Sequence, residues 1–232
     1  MKQGLPAGAR GRRGLEIAIF IVGFLATWSV RATVLYSVDE AIPSDSWRAV
    51  YSNFLKLIIW VMPAFGFVRW ARQASPAQYL GLAVLPGVRQ WILCLTATAL
   101  YLCGVLAFES VLDGRSLRSL TSLAALGVSS IAVSSLLEEI LFRGLVLREL
   151  REVFAEGGSA NLLTSLLFLT VHLPHWLWQG GASSVLIANA SGVFALSLFL
   201  GWLYFRSGSI WPPVTAHFAY NLLASLLVGH AG

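Results

Sequence analysis

Apolar runs near ~20 residues recur along the chain, and the short segments between them hold most of its arginines. A run of that length crosses the ~30 Å hydrocarbon core of a bilayer as an α-helix. In lipid each backbone polar group must find its partner within the segment, so the spans must be helical. Composition agrees: 57% of the residues are hydrophobic and 12% are charged, where soluble domains carry about 25% charge. The expected fold is therefore all-α, a polytopic transmembrane helix bundle. The formal net charge of +5 sits beside the apolar runs, where positive charge sets orientation. It implies membrane lipid as a partner and no nucleic acid.

In order, residues 1–14 read as a basic cytoplasmic tail with Lys2, Arg10, Arg12 and Arg13, residues 15–119 as a three-span part, and residues 120–232 as the part that carries the chemistry. The predicted spans cover about 15–37, 51–68, 90–111, 120–142, 160–178, 185–205 and 214–228. That makes seven, with a cytoplasmic N-terminus, or eight if the segment after Arg143 re-enters the membrane. Asp39, Glu40, Asp45 and Arg48 form a net-acidic loop that belongs outside, as does the uncharged stretch 179–184; Asp113, Arg115 and Arg118 lie in a second mixed loop. Arg31 snorkels or pairs in the outer third of the first span, and Lys56 lies near the outer end of the second. Arg148, Glu149, Arg151 and Glu152 predict an amphipathic extension along the cytoplasmic surface. Cys94 and Cys103 fall on one predicted helix about 13 Å apart along its axis, too far for a disulfide. The Arg-rich, Lys-poor composition points to a bacterial inner membrane.

Against this background one stretch stands out, Ser134 to Gly144, because it sets Glu138, Glu139 and Arg143 inside an apolar run. A charge near the bilayer centre costs on the order of 3 kcal/mol or more, so such groups face the protein interior, pair, and mark function. Glu139 and Arg143 stand four apart, Glu first, which is the favourable order for a pair on one helix face. Glu138 projects about 100° away, free to meet other helices, and a desolvated carboxylate of this kind suits a general base. The alternative is an acid-base cluster that marks a helix end. His172 lies mid-span, where a lone histidine also serves as an interhelical hydrogen-bonding group. His217 and Asn221 share a face of the last span and offer two donors to one oxygen. His175 and His230 read as solvated bystanders, and Trp176, Trp178, Trp202 and Trp211 as an interfacial belt.

Glu-Glu-x-x-x-Arg, then Phe168-x-x-x-His172, then His217-x-x-x-Asn221 with a Trp-Pro-Pro entry at Trp211 resembles the CPBP family, the CAAX-processing and bacteriocin-processing intramembrane proteases. The resemblance, including similarity to type II CAAX prenyl endopeptidases, covers Leu120 to about Val228. It departs at Leu169-Thr170-Val171, where smaller residues are expected. It implies an intramembrane endopeptidase acting on a membrane-associated or lipid-anchored protein or peptide. By resemblance Glu138 is the base, His172 holds the water, His217 and Asn221 stabilise the oxyanion, and Glu139 and Arg143 support them. The cofactor is none or one Zn²⁺, whose ligands would be Glu138, His172 and His217; the sequence has no His-Glu-x-x-His helix. A proton- or ion-coupled transporter and a non-catalytic scaffold or immunity protein are the rival classes. A water-filled cavity lined by the motif residues and open to the cytoplasm is also expected, although His172, some 18 Å from the start of its span, then lies too deep.

Overall fold

The structure is a computed structural model that describes residues 6–112, 116–117, 125–178 and 183–228. Asp113, Arg115, Arg118, residues 179–182 and His230 lie outside the described residues. The fold is helical: α1 (Ala7–Thr33), α2 (Tyr36–Ala41), α3 (Asp45–Lys56), α4 (Met62–Ala71), α5 (Pro76–Tyr79), α6 (Val88–Leu112), α7 (Ala125–Glu139), α8 (Arg148–Phe154), α9 (Gly157–Thr170), α10 (Leu173–Trp178), α11 (Ser183–Ser207) and α12 (Trp211–Leu226). Among the described residues the one extended pairing is antiparallel and two residues long, Ser116–Leu117 against Leu227–Val228.

Two π-helical stretches interrupt the ladders without breaking the rods. Leu57–Val61 joins α3 to α4, and Ile140–Leu147 joins α7 to α8, so 125–154 is one continuous rod. Such wide turns are rare and concentrate at functional sites. The second stretch is buried at all eight positions. The stretch around Arg143 therefore does not end a span and turn along a surface, as the charge pattern predicts. It runs on through the core, because Leu145, Leu147 and Leu150 bury their side chains among the other helices. Nor are residues 7–14 a free tail, since they form the first turns of α1.

Four helical segments among the described residues are long and apolar enough to cross a membrane: Gly8–Thr33, Asp45–Ala71, Val88–Val111 and Leu186–Ser207. The count of seven does not follow. The helices that carry the motifs fall short of it for physical reasons: α9 has 14 residues and α12 has 16, about 21 and 24 Å of rise, and the rod 125–154 contains Glu138, Glu139 and Arg143. They pack on the bundle by one face, with Leu162 and Leu166 of α9 left exposed: α7 on α3 and α12, and α9 on α11. That last contact is close: a Cβ on Gly201 would overlap the Asn161 side chain.

An aromatic core pins the two π-helical stretches to each other. Trp60 lies 5.7 Å from Phe142, and Phe142 lies 4.9 Å from Phe168, both edge to face. Trp28 donates its indole N–H to the Val171 carbonyl at 2.9 Å, which ties the far end of α1 to the turn after α9. Arg13 of α1, Arg72 after α4 and Glu149 of α8 meet at one end of the bundle. Asp39, Glu40 and Asp45 lie at the other.

Candidate active site

The rod 125–154 places Glu138 about 24 Å of helix rise from Phe154, deep inside the bundle. This removes the problem of depth posed by His172: the motif carboxylate is equally deep, because its helix continues well past Phe142.

Glu138, Glu139, Arg143 and His217 are all buried. Arg143 donates to Glu139 Oε1 at 2.9 Å from one nitrogen, and from another to the Ser197 carbonyl and hydroxyl of α11, both at 2.8 Å. Its guanidinium also lies over the Phe168 ring at 5.1 Å. Glu139 Oε1 accepts a second hydrogen bond from His217 Nδ1 at 2.8 Å. That contact makes Nδ1 the ring's donor to Glu139 and turns Nε2 towards the site. His217 Nε2 then faces Glu138 Oε2 at 3.7 Å, too far for a direct hydrogen bond.

Glu138 has a partner that the motifs do not contain. Lys56 Nζ lies 2.6 Å from Glu138 Oε1 and 2.6 Å from Ser134 Oγ, and Ser134 donates to the same Oε1 at 3.1 Å. Lys56 is thus not at a span's outer end. It stands level with Glu138, and its position inside an apolar run was the available signal. Ser134, one turn before Glu138, could have been found from i, i+4 spacing; Ser197 gives no sequence signal.

His172 joins from α9's end. Its Nδ1 bonds to the Phe168 carbonyl at 2.7 Å, its ring packs on Phe168 at 5.0 Å, and it is half-buried. Asn221 is one turn beyond His217, and its amide reaches Ser135 Oγ at 3.4 Å rather than either histidine. Trp176 lies against the His172 ring at 5.5 Å and lines a cavity of about 860 Å³ among α6, α11 and α12. The belt reading misses that contact, and the side chains of His175 and Trp178 lie outside the described residues.

A separate cavity of about 700 Å³ reaches Glu138, His172, Lys56 and Trp60. Its charged walls further out are Arg31, Asp39, Glu40, Asp45 and Arg48, of which Glu40 and Asp45 are exposed. Access therefore lies at the acidic end of the bundle and not, as expected, at the arginine-rich end. Residues 36–41 and 45–56 are helical here rather than a loop, with Arg31 paired to Asp39 at 2.7 Å.

A zinc site needs three or four side chains converging on one point at about 2 Å. Among the described residues no three His, Cys, Asp or Glu side chains converge in this way. An ammonium already holds Oε1 of Glu138, which leaves Oε2 as the one oxygen that residue could offer a metal.

Comparison with curated proteins and with solved structures finds no significant match. Residues 120–223, the stretch that contains Glu138, Glu139, Arg143, His172, His217 and Asn221, match the family model Rce1-like, described as type II CAAX prenyl endopeptidase Rce1-like, and this match together with the membrane-length helices supports a protease integral to the membrane.

Proposed function

We propose that the protein is an intramembrane endopeptidase that hydrolyses a peptide bond of a membrane-associated or lipid-anchored polypeptide with a water activated by Glu138. The observation that carries this reading is a buried carboxylate with one oxygen clamped and the other facing an imidazole across a gap, at the end of a cavity that leads outward. Hydrolysis in a membrane needs a water, a base and donors for the developing oxyanion, and each has a candidate.

His172 donates Nδ1–H to the Phe168 carbonyl, which leaves Nε2 as an acceptor for a hydrogen of the water. Glu138 Oε2 takes the proton as the water attacks the scissile carbonyl, and returns it to the amine as the C–N bond breaks. The oxyanion is met by Asn221, whose second amide hydrogen is unused by Ser135, and by His217. Because Glu139 takes the Nδ1 hydrogen of His217, donation from Nε2 requires the doubly protonated ring, with Glu139 as its counter-charge once Glu138 holds the proton of the water. Glu139 and Arg143 hold that ring in place, since Arg143 is itself fixed by Ser197. Residues 1–14 and the spans before α7 are assigned no catalytic step beyond the contacts to Glu138, and a bacterial inner membrane is the proposed location.

The test is cleavage by the purified protein in detergent of two probes, a quenched fluorescent peptide ending in a prenylated Cys-a-a-X sequence and a synthetic peptide with one apolar span. Wild type is compared with Glu138→Gln, each with and without a chelator. Cleavage abolished in the variant and indifferent to the chelator is expected. Cleavage at the wild-type rate by Glu138→Gln contradicts the reading, and activity lost to the chelator and restored by Zn²⁺ contradicts the metal-free form of it.

A further inference from the structure

We propose that Lys56 is a positioning residue of this site: it clamps Oε1 of Glu138 so that Oε2 is the oxygen presented to the water and to His217. The proposal rests on the reading of Glu138 as the base. Lys56 lies outside the matched stretch 120–223, and its geometry is what assigns it a role. Its ammonium bridges Glu138 Oε1 and Ser134 Oγ at 2.6 Å each, lies 5.4 Å above the Trp60 ring, and is largely shielded from solvent.

Two further observations separate this contact from an incidental ion pair. Lys56 immediately precedes the π-helical stretch Leu57–Val61, and the Glu138–Glu139 pair immediately precedes the stretch Ile140–Leu147. Both halves of the clamp therefore stand at the start of a widened turn, a feature that concentrates at functional sites. The two stretches are locked together through Trp60 and Phe142, and Asn53 of α3 donates to the Ser130 carbonyl of α7 at 2.9 Å. Rotation of either helix about its axis is thereby restrained, and with it the direction of Glu138.

The consequence follows from geometry. A carboxylate turns about its last torsion with a broad, two-fold preference. With Oε1 held by Lys56 and Ser134, Oε2 has one place to be. The charges that face the pair are His217 of α12, His172 after α9, and Arg31, Asp39, Glu40, Asp45 and Arg48 across the cavity; Arg31 pairs with Asp39 and Arg48 with Asp45. Removing the ammonium leaves the carboxylate free to turn, and a displacement of about 1 Å at a reacting group can cost ~100-fold in rate.

The experiment measures kcat, KM and detergent Tm for wild type, Lys56→Arg, Lys56→Met, Lys56→Ala and Glu138→Gln with the two peptides above, and repeats Lys56→Ala and Glu138→Gln in millimolar ethylammonium. The cavity gives a small amine a route to the vacated place. Expected are a kcat lower by ~100-fold in Lys56→Met with KM within about threefold, substantial retention in Lys56→Arg, and at least a fivefold gain for Lys56→Ala with ethylammonium. Glu138→Gln should gain nothing. Wild-type kcat in Lys56→Met, or no amine rescue of Lys56→Ala, overturns the proposal while Glu138→Gln remains dead. Activity in Glu138→Gln instead overturns the base assignment beneath it. A stability cycle needs no substrate: Lys56→Met should lower Tm and the double variant Lys56→Met with Glu138→Gln should recover it, whereas additive losses overturn the clamp.

Discussion

Two buried clusters of charge stand at different levels of this bundle, and they are built to different ends. At the arginine-rich end Glu149 of α8 receives Arg13 of α1, Arg72 after α4, and the Tyr79 hydroxyl of α5. Arg72 also reaches Glu16 of α1. Both carboxylate oxygens of Glu149 are taken, and neither described cavity reaches it. At mid-bundle Glu138 has one oxygen clamped by Lys56 and the other across a gap from His217, with a cavity against it. Burial and charge alone do not separate the two. What separates them is whether a lone pair is left over in a place that water can reach, and that difference is the reason to read the first as a fastening of four segments and the second as a site.

Substitutions that remove one group from each cluster should break in different observables. Glu149→Ala leaves Arg13 without its carboxylate and Arg72 with Glu16 alone, and losing one side of a buried pair costs about 3–5 kcal/mol. A large fall in detergent Tm is expected, with the activity per folded molecule retained. His217→Ala should do the reverse: in the proposed mechanism it removes an oxyanion donor, a loss of ~100- to 1,000-fold in kcat, and Tm should change less than in Glu149→Ala because Arg143 still neutralises Glu139. If the two variants lose stability and activity in the same proportion, the comparison fails. Gly144→Ala tests the joint between the levels. Its Cβ would stand 2.8 Å from the Leu80 carbonyl, so a loss of about 1–3 kcal/mol from overpacking is expected, measured as Tm.

The smallest effect is the pH dependence of the fastening. Burial pushes the Glu149 carboxyl up, but hydrogen bonds from Arg72, Arg13 and Tyr79 outweigh it and hold its pKa below the usual carboxylate range. A depressed carboxylate contributes stability that is present above its unfolded pKa of about 4.3 and is lost as pH falls through the folded value. Burial first and the Glu149 charge second push Tyr79 up to about 12, so its share is present below ~10 and lost as pH rises towards that value. Tm should accordingly fall in acid below about pH 4, and Glu149→Gln should flatten that limb.

Much of this was legible in the sequence. Helical spans follow from run length and the chemistry of lipid, and the Glu139–Arg143 pair follows from i, i+4 spacing. The convergence of Glu138 and His217 was suggested by the order of the motifs. Three things were not legible. The rod 125–154 was cut at Phe142 because Arg143, Arg148 and Arg151 read as a membrane boundary, whereas Arg143 is absorbed by Glu139 and Ser197 and Arg148 by the Tyr79 carbonyl and ring. The seven spans take every apolar segment as crossing lipid, a count the structure leaves unconfirmed because α9 and α12 have only 14 and 16 residues. Lys56 reads as peripheral in the sequence, because its partner is 82 residues away and no local spacing rule reaches that far.

Activation of a water by Glu138 is read most directly by cleavage in H₂¹⁸O followed by mass spectrometry of both fragments. Expected are one ¹⁸O in the new carboxylate of the N-terminal fragment formed by wild type, no fragments from Glu138→Gln, and a variant that remains folded by Tm. Labelled fragments formed at the wild-type rate by Glu138→Gln would contradict activation by Glu138, because the water would then be activated by something else.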